Sequence, residues 1–247
     1  MTSSSRRILR LSGTANRDFL QGLITNDIKG IDHGLVYAAL LTPQGKYMAD
    51  FFIFAEGEDV LLDADSAQAD MLIQRLSMYK LRADVQITMT DFHLHRGTGD
   101  RPADALPDPR HTALGWRAYR DTAQQTCETD WDAVYVAHMI PQSGIELKPD
   151  SFILEMGFER LHGVDFRKGC YVGQEVTARM KHKTELRKGL AKVAVSGDAG
   201  TGSTIIAQGK PAGTLLTRAG NEALAYLRYD RATGEMTADA ATLTRID

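Results

Sequence analysis

The sequence predicts an α+β fold that closes with a small β-barrel, and three observations carry that prediction. Through most of the chain, apolar positions switch between strand-like and helical spacing. The tetrad Thr42-Pro43-Gln44-Gly45 is a strong hairpin signal, because proline presets one turn dihedral and glycine tolerates positive φ. From Leu190 onward, short β-rich runs alternate with glycine-bearing turns, the spacing of a small barrel or sandwich.

Taken in order, Arg6 to Leu11 read as a strand ended by Ser12-Gly13. Ala15, Phe19, Leu20 and Leu23 fall at helical spacing and predict a helix over 14–23. Strands are expected over 36–41, 47–54 and 59–63, then a helix over 66–79 capped by the Ser66 hydroxyl. A strand around Val85 to Met89 precedes Gly97-Thr98-Gly99-Asp100-Arg101-Pro102. With Pro107 and Pro109 nearby, residues 97–110 are expected to form an exposed loop or linker. A helix over 129–139 shows Trp131, Val134, Tyr135 and His138 on one face, with Thr129 and Asp132 as its cap. The barrel strands are expected at 190–195, 214–217 and 223–229, with turns at 197–202, 209–213 and 219–221. These divisions suggest three modules, over residues 1–90, 91–186 and 187–247.

Composition narrows the class. Of 247 residues, 43% are hydrophobic and 25% charged, so a sizeable core needs no metal or disulfide staple. A formal charge of −3, with basic residues not interleaved by aromatics, argues against a nucleic-acid partner. Two cysteines make neither a disulfide framework nor a zinc site, so no metal is expected. The polar stretch Met1-Thr2-Ser3-Ser4-Ser5-Arg6-Arg7 and the lack of a long apolar run predict a cytoplasmic protein without a membrane partner. No sustained exposed apolar stripe is evident, which predicts a monomer.

The chemistry concentrates around Cys170. Gly169 and Gly173 bracket Cys170, Tyr171 and Val172, so the backbone there can turn tightly and approach a ligand. Val176 and Met180 suit a short helix starting just beyond the thiol, and Arg167 and Lys168 precede it. Cations and a helix N-terminus both favour thiolate, which makes Cys170 a candidate for a lowered pKa. Against this, a lone cysteine is more often a small buried hydrophobe. Between 167 and 188, seven cations face only Glu175 and Glu185, a candidate anion-binding run that reads equally as a solvated face. Cys127, in a polar loop without cationic neighbours, reads as an incidental thiol.

The octapeptide Lys168-Gly169-Cys170-Tyr171-Val172-Gly173-Gln174-Glu175 resembles the signature of the YgfZ family, bacterial relatives of a mitochondrial iron–sulfur assembly factor within the glycine-cleavage T-protein superfamily. The resemblance extends to Phe19-Leu20-Gln21-Gly22-Leu23 with Thr25-Asn26-Asp27, and to Leu41–Lys46 followed by Ala49-Asp50-Phe51. It continues through Asp108-Pro109-Arg110, Leu114–Arg117 and Gly209–Thr214. It implies a T-protein-like ring of modules around a central channel holding tetrahydrofolate, and a role in assembling or repairing iron–sulfur clusters. Expected partners are therefore a folate and iron–sulfur target enzymes or assembly proteins, with Cys170 needed for activity. A pterin with an anionic glutamate tail suits a largely apolar pocket with a few polar groups and a basic mouth. On this resemblance Asn26, Asp50 and Glu155 are expected as polar pocket groups, with Lys168, Tyr171, Gln174 and Glu175 contributing from the motif.

Two departures bear on the contacts. Met139 precedes Ile140-Pro141 where the superfamily usually has glycine, and Met156-Gly157-Phe158-Glu159 replaces an expected Ala-Asn-Leu-Asp pattern. Two rival functions stay open. One is a folate-dependent aminomethyltransferase, which usually carries paired aspartates where this chain has Ala49-Asp50. The other is an interaction scaffold with a vestigial folate site.

Overall fold

The computed structural model describes residues 5–126, 128–183 and 185–247, with the Lys183 side chain outside that description. The expectation for Cys127 lies outside the described residues. The first elements are β1 (Arg6–Ser12), α1 (Asn16–Gln21), β2 (Val36–Leu41), β3 (Tyr47–Glu56), β4 (Asp59–Asp65), α2 (Ser66–Tyr79) and β5 (Gln86–Met89). The five strands form one sheet in the order β2-β3-β4-β1-β5, and every pairing in it is antiparallel.

Both faces of this sheet are buried, which explains the near-continuous apolar run of β3. Successive side chains point to opposite faces. Phe51 and Ile53 join Leu9, Leu11 and Leu62 in a core closed by Leu20 of α1 and by Leu72 and Leu76 of α2. Each such side chain contributes about 1.5–3 kcal/mol by leaving water. Phe52 and Phe54 take the other face, where Phe54 stacks on Tyr119 with centroids 4.1 Å apart. Tyr119 belongs to a second sheet, in which β8 (Trp116–Arg120) lies between β6 (His93–Gly97) and β7 (Leu106–Pro107).

Buried ion pairs join these two sheets. Asp63 accepts from Arg6 Nε at 2.6 Å, Arg117 at 2.5 Å and the Tyr119 hydroxyl at 3.0 Å. Asp108 accepts from Arg110 at 3.0 and 2.8 Å, while the Arg117 guanidinium lies 3.9 Å from the Phe52 ring centroid. Burial alone would raise the Asp63 carboxyl, yet Arg6 and Arg117 hold it at about 2. The expected exposed loop holds over 98–104, but this network corrects it over 105–110, where Ala105, Asp108 and Arg110 are buried. The prolines mark irregular backbone there, and the charges pull that backbone inside.

Two caps also differ by one or two residues. Asp65, not Ser66, caps α2 by accepting from Ala67 N at 2.9 Å, and the Ser66 hydroxyl bonds Ser5 instead. The third helix, α3 (Trp131–Ala137), is capped by Asp130, which accepts from Ala133 N at 3.1 Å. In each case a carboxylate stands one position before the first helical residue, where its oxygen reaches the free amides.

The chain forms two compact units, Met1–Thr129 with Glu159–Val176, and Asp130–Phe158 with Thr177–Asp247. Within the second, Glu146 is buried and accepts from Gln142 N at 2.9 Å, Thr217 N at 3.1 Å and Thr217 Oγ1 at 2.6 Å. These bonds pin the stretch after α3 to the barrel. Met139 adopts φ 51°, the left-handed region. Glycine would hold that conformation without a Cβ clash.

Helix α4 (Gln174–Lys183) begins within the octapeptide, as the spacing of Val176 and Met180 predicts. The closed barrel then comprises β9 (Lys188–Ser196), β10 (Thr204–Ala207), β11 (Lys210–Ala219), β12 (Glu222–Arg228), β13 (Met236–Ala238) and β14 (Ala241–Arg245). Its strand order is β10-β11-β12-β9-β14-β13. Alternate residues such as Val193, Leu215, Ala225, Leu227 and Leu243 fill the interior. Residues 210–213, expected as turn, are strand instead. Gly213 lies so close to Tyr226 that a Cβ would sit 2.2 Å from its carbonyl oxygen.

Candidate functional site

The octapeptide is locked to the first unit by backbone-directed bonds. Thr25 Oγ1 donates to Gly163 O at 2.7 Å and accepts from Ala39 N at 2.9 Å, while Thr25 O accepts from Asp165 N at 3.0 Å. Asn26 Nδ2 donates to Tyr37 O at 2.8 Å and to His162 O at 2.7 Å, and its Oδ1 accepts from Asp27 N. Thr25 and Asn26 therefore stitch β2 to residues 162–165. Lys168 completes the attachment. Its buried Nζ donates to Gln21 O at 2.6 Å and Ile24 O at 2.5 Å, capping the carbonyl end of α1, and lies 5.0 Å from the Tyr171 ring centroid. Burial lowers the Lys168 ammonium to about 8, against the opposing pull of Asp27 and Asp165.

This leaves Cys170 exposed on a short segment whose flanks are fixed. Tyr171 is buried, Gln174 opens α4, and the exposed Glu175 sits in its first turn, where a carboxylate complements the helix dipole. Asp50 is also buried. Its Oδ1 accepts from the Tyr47 hydroxyl at 2.6 Å and its Oδ2 from the Tyr37 hydroxyl at 3.0 Å. Burial, then the Asp50 charge, raise the Tyr37 hydroxyl well above its ordinary value, so it stays a donor. Tyr37 thus links two of the expected residues, accepting from Asn26 through its carbonyl and donating to Asp50 through its hydroxyl.

Glu155 lies in the second unit and lines a cleft of about 660 Å³ with Arg187, Lys188, Tyr226, Arg228 and Arg231. Its Oε2 accepts from the Tyr226 hydroxyl at 2.6 Å, with Lys188 Nζ at 3.9 Å. Its carbonyl accepts from Leu190 N at 2.8 Å, an approach that only a glycine at 189 permits, since a Cβ there would lie 2.8 Å from Glu155 O. Four cations line this cleft; Lys188 stands beside Glu155 and Arg228 pairs with Asp230 at 3.1 Å, so the excess positive charge rests on Arg187 and Arg231. In the sequence, Arg187 and Lys188 belong to the charge run at 167–188, and Tyr226, Arg228 and Arg231 stand outside it. The usable signal was the period of β12, in which Ala225 and Leu227 point inward, so Tyr226 and Arg228 face out.

Residues 187–246 match the family described as CAF17, C-terminal beta-barrel domain. A mitochondrial iron–sulfur cluster assembly factor IBA57 homolog of Mycosarcoma maydis is 34% identical over 217 residues, covering 74% of this chain and 54% of that protein. The chain therefore spans about half the length of that relative. Mitochondrial IBA57 of Mus musculus is 28% identical over 278 residues, covering 94% of this chain and 78% of the relative. The glycine cleavage system aminomethyltransferase T from Bartonella henselae superposes with a TM-score of 0.78 at 11% identity, over 99% of this chain and 83% of that one. The fold is thus the T-protein fold, with mixed helices and sheets and a closed six-stranded C-terminal barrel. The expected cytoplasmic location is overturned by the relatives' names, which are those of mitochondrial proteins. The composition of a folded body is the same in either compartment, so it carried no information on this point.

Proposed function

We propose that the chain serves iron–sulfur cluster assembly in the manner its relatives' names describe, as a YgfZ-type protein that binds a tetrahydrofolate and presents the Cys170 thiol to its partners. The observation that carries the folate reading is the Glu155 cleft. A buried carboxylate with one oxygen open suits the N–H donors of a pterin. The Tyr226 ring offers an aromatic wall, and Arg187 and Arg231 suit the carboxylates of a glutamate tail. When bound, the folate supplies one-carbon carrier chemistry. The chain's own groups hold and orient it.

Asn26, Asp50 and Lys168 shape the first unit through internal bonds. Tyr171, Gln174 and Glu175 frame the thiol. Cells depleted of their own relative provide the functional test, read as the activity of an iron–sulfur enzyme after supplying this chain or its Cys170→Ser form. Restoration by the unaltered chain alone supports the reading. Equal restoration by both removes Cys170 from it, and restoration by neither removes the assembly role.

A further inference from the structure

We infer that Tyr226 is a positioning residue for ligand binding, acting through Glu155 to hold one carboxylate oxygen available in the cleft. This rests on the tetrahydrofolate reading above and goes beyond it by assigning the ligand's orientation to a barrel residue.

Three observations fix the geometry. The Tyr226 hydroxyl donates to Glu155 Oε2 at 2.6 Å, and Lys188 Nζ stands 3.9 Å from that oxygen and 5.3 Å from the Tyr226 ring centroid. Among the described residues, Oε1 has no hydrogen-bond partner, although the Glu155 side chain is only 7% exposed. Finally, Tyr226 faces Leu190 directly in the β12–β9 register, and Leu190 N donates to the Glu155 carbonyl at 2.8 Å. One cross-strand pair therefore anchors both the backbone and the side chain of Glu155.

The consequences follow from hydrogen-bond chemistry. A carboxylate whose Oε2 is committed cannot rotate freely, so Oε1 remains where a ligand N–H can reach it. Burial, then the Glu155 carboxylate, push the Tyr226 hydroxyl far above its ordinary value, so it remains a donor across the physiological range. Without that hydroxyl, Glu155 keeps only the more distant Lys188 contact and loses its fixed rotamer. Tyr226 need not touch the reacting part of the folate for its removal to be felt.

A binding cycle tests this. Tetrahydrofolate is titrated anaerobically into the full chain, Tyr226→Phe, Glu155→Gln and the double variant, with unfolding of each ligand-free protein followed in parallel. Tyr226→Phe is expected to weaken binding about tenfold, the scale of a hydrogen bond to a charged group. In the Glu155→Gln background the same change is expected to cost less than about twofold, because the residue it acts through is already altered. Lys188→Met is a second probe, with a loss of about threefold that also disappears in the Glu155→Gln background. Equal losses in both backgrounds, or unchanged binding in Tyr226→Phe, overturn the inference while leaving the folate reading intact. If the unaltered chain does not bind, both fall together.

Discussion

Gly45 and Gly173 meet backbone to backbone. A Cβ on Gly173 would lie 3.1 Å from Gly45 Cα and 2.6 Å from Thr42 O, and one on Gly45 would lie 2.8 Å from the Val176 side chain. Both glycines hold positive φ, 74° and 84°. The hairpin turn between β2 and β3 is thus the seat on which the octapeptide rests.

Gly173→Ala is expected to destabilise the chain by about 2–4 kcal/mol, combining left-handed strain with a clash against rigid backbone. Urea unfolding measures it. A loss below about 0.5 kcal/mol would mean that the turn gives way easily.

Lys168 links folding to pH. Its ordinary value of 10.5 falls to about 8 in the folded chain, so between these values the unfolded state binds more protons and stability rises with pH. The rise is at most about 1.4 kcal/mol per pH unit. Unfolding free energies measured from pH 8 to 10.5 are expected to show this slope in the unaltered chain and to lack it in Lys168→Met. A shared slope assigns the proton to another group.

Asp63 works in the opposite sense. Its value, lowered from 3.8 to about 2 against burial, gives stability that is present above pH 4 and lost as pH falls toward 2. Asp63→Asn is expected to cost about 3–5 kcal/mol at neutral pH, because Arg6 and Arg117 lose a buried counter-charge. Thermal unfolding checks the cost. A near-neutral effect would show that water or a neighbour compensates.

Met139 occupies left-handed backbone, a region glycine adopts without a Cβ clash. Met139→Gly is expected to change stability by less than about 1 kcal/mol, with relief of strain offset by added freedom in the unfolded chain. Destabilisation beyond about 2 kcal/mol in urea would identify the side chain's packing as the reason for methionine.

The elements with strong local signals were legible in the sequence. The hairpin at Thr42–Gly45, the helix over 66–79 and the strand runs at 36–41 and 47–54 follow from turn chemistry and apolar spacing, which need no distant partner. What was hidden depends on tertiary contacts. Residues 105–110 look like loop until Asp63 and Arg117 are placed beside them. The strands at 204–207, 236–238 and 241–245 are too short to announce themselves and form because the barrel closes. Among the candidate functional residues, Cys170 and Lys168 stand out through the octapeptide, and Glu155 only through resemblance. The period of β12 turns Tyr226 outward, but its role depends on pairing with Leu190 and reaching across to Glu155.

The measurement that bears most directly on the central claim is anaerobic calorimetry with tetrahydrofolate on the unaltered chain and on Glu155→Ala. One site is expected, with a dissociation constant near 1 μM or tighter, about −8 kcal/mol. Binding is expected to be at least about tenfold weaker in Glu155→Ala at unchanged fold. Saturable binding of equal strength in both proteins would move the folate away from this cleft, and no binding by the unaltered chain would contradict the folate reading outright.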